Sequence, residues 1–357
     1  MLKEAETRCP LVDAASEPAR FVAERYEEPK LWQLREQFRL DEVIAGTRSE
    51  FEQIVALGNW VADIIRSTAG RPPAPHEPKP PPFDAFYCLS LAPHYRLHCT
   101  HASIIFVQAA TSLGFIARFT LTHHTAEFWS NEWGKWVFID PKGSIAKGAG
   151  RGAIYFTHNG VPLSALEVRR FYYEGRWSEL EVHPEDARIE GMPDYPDLFR
   201  RVAFLRRNNW FSEPYSPDYY DPNSPRHIFR EAVWWTDEHT PPRLGCFNIS
   251  QEHVFNFPVN FTQVALDYTD DLGVLQVTLY TFTPNFSHFL GRFNEGEWRR
   301  ADHQFRWQLQ PGDNALEVMA VNKFGRWGMP TRIVVHFDSQ RCSRDDYRKI
   351  ATGERVV

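Results

Sequence analysis

Residues 94–114 read HYRLHCTHASIIFVQAATSLG, and the way this stretch is read decides the fold. Three histidines and one cysteine fall within eight residues: His94, His98, Cys99 and His101. Histidine and cysteinate are the usual zinc ligands, but these four lack the paired two-residue spacings of zinc ribbons and fingers. The residues that follow point elsewhere. Ala102, Ile105, Phe106, Ala109 and Leu113 recur at helical spacing, and Gly114 suits the residue just past a helix end. The pattern predicts a buried helix whose first turn begins at about Cys99. A helix N-terminus offers positive partial charge and free N–H groups, which favour thiolate and can hold an oxyanion.

The partners for such a thiol lie downstream, in residues 123–141, HHTAEFWSNEWGKWVFIDP. FIARFTLTHH at 115–124, TAEFWSN and KWVFID are rich in aromatic and β-branched residues and predict three strands, with EWGK as the turn between the last two. A histidine on one strand and an aspartate ending the neighbouring strand can bring an imidazole beside a carboxylate. In the order Cys99, His123 or His124, Asp140, these residues have the types needed for a nucleophile, a base and a group that orients the base.

Cys99 and Ala102 on a helix, then LGFIAR at 113–118, then His123 and Glu127, then KWVFIDP at 135–141, resemble the core of the transglutaminase-like superfamily. That superfamily has a papain-like cysteine fold and includes peptide N-glycanases. The resemblance spans roughly residues 50–175. It implies Cys99 as nucleophile, a histidine as base and Asp140 as orienter. The family pattern has an acidic residue four positions after the base, and Glu127 then selects His123. Period-two alternation also puts His123, Thr125 and Glu127 on one strand face and His124 on the other. His123 is the expected base and His124 the alternative, with Glu127 supporting the strand pair. Thr125 stands where family members often carry an aromatic residue. A side-chain oxyanion donor is not identifiable, although Tyr95 and His94 are candidates.

Composition sets the wider bounds. The 357 residues suit two domains, and 43% hydrophobic content supports real cores. A net charge of −6 without a basic run argues against nucleic-acid binding. Five scattered cysteines, no apolar leader and no apolar run long enough to span a bilayer lead to the expectation of a cytoplasmic protein with reduced thiols.

The expected fold class is α+β. An N-terminal helical extension over 1–45 precedes a catalytic core over 46–175. Within that core, Thr47 and Glu50 have capping-box spacing ahead of a helical stripe at Phe51, Ile54, Leu57, Val61 and Ile64. Ser164 and Glu167 repeat that spacing ahead of a second helix, and RPPAPHEPKPPP at 71–82 reads as an extended connector. Residues 176–245 show no clear period and read as an irregular, aromatic-rich extension of the core. There Trp210, Tyr215, Tyr219, Tyr220, Trp234 and Trp235 either pack or line a wall for a sugar or peptide. Short strands with Gly, Pro and Asn turns over 246–340 predict an immunoglobulin-like β-sandwich, and 341–357 a charged tail.

The resemblance implies attack on an amide of a peptide, isopeptide or glycopeptide through a thioester. Hydrolysis is favoured and needs neither metal nor organic cofactor. Transfer of a glutamine acyl group to an amine on the same triad is the alternative. A non-catalytic peptide- or glycan-binding protein is the reading from a different class.

Overall fold

The structure is a computed structural model that describes residues 21–73, 83–143, 151–185, 187, 195–215 and 230–338. It is mixed α+β, with several sheets and a few helices. Most of the proline-rich connector, Tyr219, Tyr220 and the charged tail lie outside the described residues. The chain divides into two compact units, one ending at Phe257 and the other beginning its main segment at Pro258. Among the described residues, no helix is long and apolar enough to cross a membrane.

In the first unit, α1 (Pro29–Gln37), α2 (Leu40–Val43), α3 (Glu50–Ser67) and α4 (Ala85–Leu91) precede α5 (Cys99–Ser112). α5 begins at Cys99 as the apolar pattern predicts, and Gly114 follows it at φ +82°. Every residue of α5 from His101 to Ser112 is buried, so the helix runs through the interior. The cap of α3 differs from the expectation. Ser49 is its N-cap and accepts from the Glu52 N–H at 3.2 Å, while Thr47 Oγ1 donates back to the Ile44 carbonyl. The same Ser/Thr-x-x-Glu spacing occurs twice in a row here, and the second copy is the one used.

The strands β1 (Ala117–Thr120), β2 (Thr125–Ser130) and β3 (Lys135–Ile139) follow α5 as an antiparallel set. β4 (Tyr155–His158), β5 (Val161–Pro162) and β6 (Glu181–His183) form a small separate sheet. Between β5 and β6 lies α6 (Ala165–Tyr173), whose Ser164–Glu167 capping box is present as predicted. β7 (Ala203–Leu205), β8 (Ala232–Trp235) and β9 (Phe247–Ile249) complete a six-stranded sheet of order β3-β2-β1-β7-β8-β9.

The aromatic-rich segment is therefore sheet-building chain. Its strands are three or four residues long, too short to display a period in sequence. The boundary expected at 246 also moves. β9 pairs with β8, and the helix α7 (Glu252–Phe255) buries Val254 and Phe255 in the same core as Phe204 and Val233.

The sheet is tied to its surroundings through one buried cation. Arg118 on β1 is 1% exposed. Its Nε donates to Glu127 Oε2 on β2 at 2.8 Å. Its other nitrogens donate to the Phe255 carbonyl and to Asn256 Oδ1. The guanidinium lies 3.8 Å from the Phe204 ring centroid and 4.1 Å from that of Trp136. Glu127 Oε1 accepts from the Ala165 N–H at the start of α6. Glu127 thus links β1, β2 and α6, which agrees with a supporting role for it.

α3 lies close against the end of β3. A Cβ on Gly58 would sit 2.7 Å from Ile139 Cδ1 and 2.8 Å from Ala153 Cβ. Gly58→Ala gains helix propensity of about 1 kcal/mol but overpacks at about 1–3 kcal/mol. The second effect wins because the Ala153 methyl has no rotamer by which to leave. A net loss of about 1 kcal/mol in urea unfolding is the expected result, and an unchanged midpoint would contradict this packing.

In the second unit, β10 (Thr262–Tyr268), β11 (Val274–Thr281) and β14 (Gln304–Gln308) form one antiparallel sheet. β13 (Arg299–Ala301), β12 (Phe286–Phe293), β15 (Gly312–Asn322) and β16 (Thr331–Phe337) form another. Val277, Leu279, Phe289, Trp307, Val318 and Ile333 from both sheets share one core. Along β16 the burial alternates, with Thr331, Ile333 and Val335 buried, because successive side chains of a strand point to opposite faces.

Candidate active site

Cys99 is the first residue of α5 and is partly buried. Facing it is the turn between β1 and β2, residues 121–124. His123 has φ +53° and His124 φ +54°. Two successive left-handed residues other than glycine are unusual and cost roughly 1–2 kcal/mol each. The turn is held there by several bonds. Ser103 Oγ on α5 donates to the His124 carbonyl at 2.5 Å, and Thr125 Oγ1 donates to the Thr122 carbonyl at 2.9 Å. The hydroxyls of Thr120 and Thr125 meet at 2.6 Å, and the Leu121 N–H donates to the Ala203 carbonyl.

This geometry corrects the expectation for the histidines. β2 begins at Thr125, so both histidines precede the strand and alternation does not govern them. His124 Nδ1 is 3.8 Å from Cys99 Sγ and 3.1 Å from Thr100 Oγ1. His123 makes no hydrogen bond to the thiol; it lies in the field of Lys142.

Asp140 directly follows β3, is fully buried, and bridges to Ile154 through its backbone. Its Oδ1 accepts from the Lys142 N–H at 2.9 Å. Neither His123 nor His124 is hydrogen-bonded to Asp140, so the in-line order of cysteine, histidine and aspartate is not assembled here. The carboxylate instead acts on the thiol.

Burial first, and then the negative charge of Asp140, push the Cys99 thiol above its ordinary value, while Lys142 opposes them. Burial, with His123 adding to it, lowers His124 to about 4. At neutral pH the resting pair is a thiol beside a neutral imidazole.

His98 and His101 serve the helix. His101 is at N3 of α5, and its Nδ1 accepts from the His98 N–H at 3.1 Å. It does what glutamate does in a capping box, which requires the neutral ring. Burial, aided by His98, accordingly lowers it to about 4. His94 and Tyr95 stack edge-on with ring centroids 6.3 Å apart, and neither bonds to Cys99. Among the described residues, no three His, Cys, Asp or Glu side chains converge in a metal-binding arrangement.

These ring shifts have a consequence for stability. His101 and His124 are lowered, so the unfolded chain binds more protons between about pH 6.5 and 4. The stability they support is present above pH 6.5 and is lost as the pH falls toward 4. The loss is expected to be roughly 2–3 kcal/mol per histidine by pH 4. Urea unfolding at pH 7 and 4.5 measures it. His101→Gln, which keeps an acceptor at N3, is expected to show a shallower pH dependence, and an identical slope would contradict this role.

Aromatic packing surrounds the site. Phe119 is 5.8 Å from the His124 ring. Trp210 and Tyr215 lie against Phe83 at 4.8 and 5.0 Å. Trp234 is buried and Trp235 packs on Phe255. These four residues therefore pack the unit. Thr100, Ser103 and Arg118 were not singled out from the sequence as functional residues. Threonine and serine in a helix carry no signal until the facing turn is known.

A scan against protein-family models, a search of curated proteins and a search of solved structures each found no match.

Proposed function

We propose that this chain is a cysteine-dependent enzyme that acts on an amide of a peptide, isopeptide or glycopeptide, with a core of the papain-like transglutaminase type and an immunoglobulin-like second unit. The observation that carries the reading is the placement of Cys99, at the first turn of a buried helix, within 3.8 Å of His124 Nδ1. The motif order around Cys99, His123, Glu127 and Asp140 supports it. The base in this reading is His124, although the motif spacing favours His123.

In the reaction, the thiol proton passes to His124 as sulfur attacks the amide carbonyl carbon. N–H groups of the first turn of α5 hold the oxyanion. The C–N bond breaks as the imidazolium protonates the leaving amine, leaving a thioester on Cys99. Water, deprotonated by His124, then attacks the thioester and regenerates the thiol. An amine in place of water gives transfer. The Asp140 carboxylate opposes thiolate in the resting protein, and Lys142 favours it.

The test is release of ammonia or amine from a glutamine-rich protein and from glycopeptides, with and without a primary amine acceptor. Release is expected from wild type and not from Cys99→Ala, and equal turnover by both would contradict the reading. A second reading, a non-catalytic peptide- or glycan-binding protein, is favoured by one observation: neither imidazole is bonded to Asp140. Binding without turnover in wild type would select it.

A further inference from the structure

Ser103 lies one turn after Cys99 on α5, and residues four apart share a helix face. It is fully buried. Its hydroxyl donates to the His124 carbonyl oxygen at 2.5 Å. Thr100, three residues earlier, meets the ring of the same histidine, with Oγ1 3.1 Å from Nδ1. The nucleophile and two contacts to its base therefore sit within residues 99–103 of one buried helix.

The backbone of the facing turn does not favour this position by itself. His123 and His124 are both left-handed, a conformation that side chains other than glycine rarely adopt. The remaining backbone bonds of the turn run elsewhere. The Leu121 N–H donates to the Ala203 carbonyl, and the Thr125 hydroxyl donates to the Thr122 carbonyl. Among the described residues, the Ser103 bond is the one hydrogen bond between the backbone of this turn and α5. The carbonyl carbon of His124 is bonded to its Cα. Holding the carbonyl therefore holds the point from which the imidazole projects.

We propose that Ser103 is a positioning residue, whose hydroxyl holds the His124 backbone over the first turn of α5 and so sets the separation of imidazole and thiol. This role rests on the nucleophile–base reading above. Without the bond, the His124 carbonyl loses a buried donor and the strained turn gains by relaxing. The ring nitrogen is already 3.8 Å from sulfur, at the long end of the range for a hydrogen bond to sulfur. A further retreat breaks that contact. Alanine suits a helix and removes only the hydroxyl.

The experiment is the rate of Cys99 acetylation by p-nitrophenyl acetate in the full chain, read on the Cys99 peptide by mass spectrometry. Ser103→Ala, Ser103→Thr, Ser103→Val, His124→Ala and the double variant of Ser103→Ala with His124→Ala are compared with wild type. Ser103→Ala is expected to slow acetylation about tenfold, the effect of losing one hydrogen bond that holds a reacting pair. Ser103→Thr keeps the hydroxyl and is expected to stay near the wild-type rate. Ser103→Val has the shape of threonine without the hydroxyl and is expected to be slow. That pair gives the same comparison if the alanine variant does not fold. In the His124→Ala background, Ser103→Ala is expected to add no further loss, because its effect passes through the imidazole.

A wild-type rate in both Ser103→Ala and Ser103→Val would overturn the positioning role. So would an equal loss from Ser103→Ala with and without the His124 ring, which marks a residue that only supports the fold. In either case a slow His124→Ala leaves the base reading standing. If His124→Ala is acetylated at the wild-type rate, the base reading fails and the role of Ser103 fails with it.

Discussion

Arg118→Ala is expected to cost about 3–5 kcal/mol of folding stability. Arg118 and Glu127 are each about 1% exposed in their side chains. Removing the cation leaves a carboxylate buried beside aromatic rings, and the desolvation penalty of that charge is no longer offset. It also leaves the Phe255 carbonyl and Asn256 Oδ1 without the donor that Arg118 supplies. The surface pair Arg39–Glu42, by contrast, has both partners more than half exposed and is worth at most about 1 kcal/mol. Equilibrium urea unfolding of Arg118→Ala and Glu127→Ala measures the effect. A loss below about 1 kcal/mol in both would show that the pair is not a keystone of the sheet.

His124→Ala is expected to lower amide turnover by about 10²- to 10⁴-fold, the usual contribution of a positioned general base. His123→Ala is expected to stay within about tenfold of wild type, since its ring makes no hydrogen bond to the thiol. The distinction follows from the backbone. Both histidines are left-handed and precede β2. The turn presents His124 to Cys99 because Ser103 holds the His124 carbonyl from the α5 side. The reverse order of effects, with His123→Ala the more damaging, would restore the base chosen by motif spacing. Steady-state kinetics of the two variants on one substrate decides between them.

Much of the architecture was legible in the residues. The start of α5, the Ser164–Glu167 cap and the β2–β3 hairpin follow from local patterns of apolar spacing and capping chemistry. Five strands of the second unit, β10, β11, β14, β15 and β16, were legible as short runs between Gly, Pro and Asn turns, whereas β12 and β13 were not. What was not legible depends on contacts distant in sequence. β7 and β8 gain their identity from pairing with β1 and with each other, since three or four residues carry too little pattern alone. The assignment of β9 to the first unit rests on its pairing with β8. At the site, Cys99 could be chosen because helix starts are readable. Alternation selects His123, but a turn of two left-handed residues breaks that alternation and brings His124 to the thiol instead. Thr100 becomes visible as a partner only once that turn lies over the helix.

In the proposed reaction Cys99 forms a covalent acyl intermediate with His124 as its base. Intact and peptide-level mass spectrometry after brief exposure to p-nitrophenyl acetate tests it most directly, in wild type, Cys99→Ser and His124→Ala. A single acetyl group is expected on the Cys99 peptide of wild type, formed much faster than in His124→Ala and lacking as a thioester in Cys99→Ser. Acylation spread over Cys88, Cys99 and Cys246 alike, or at the same rate on Cys99 with and without the His124 ring, would contradict it.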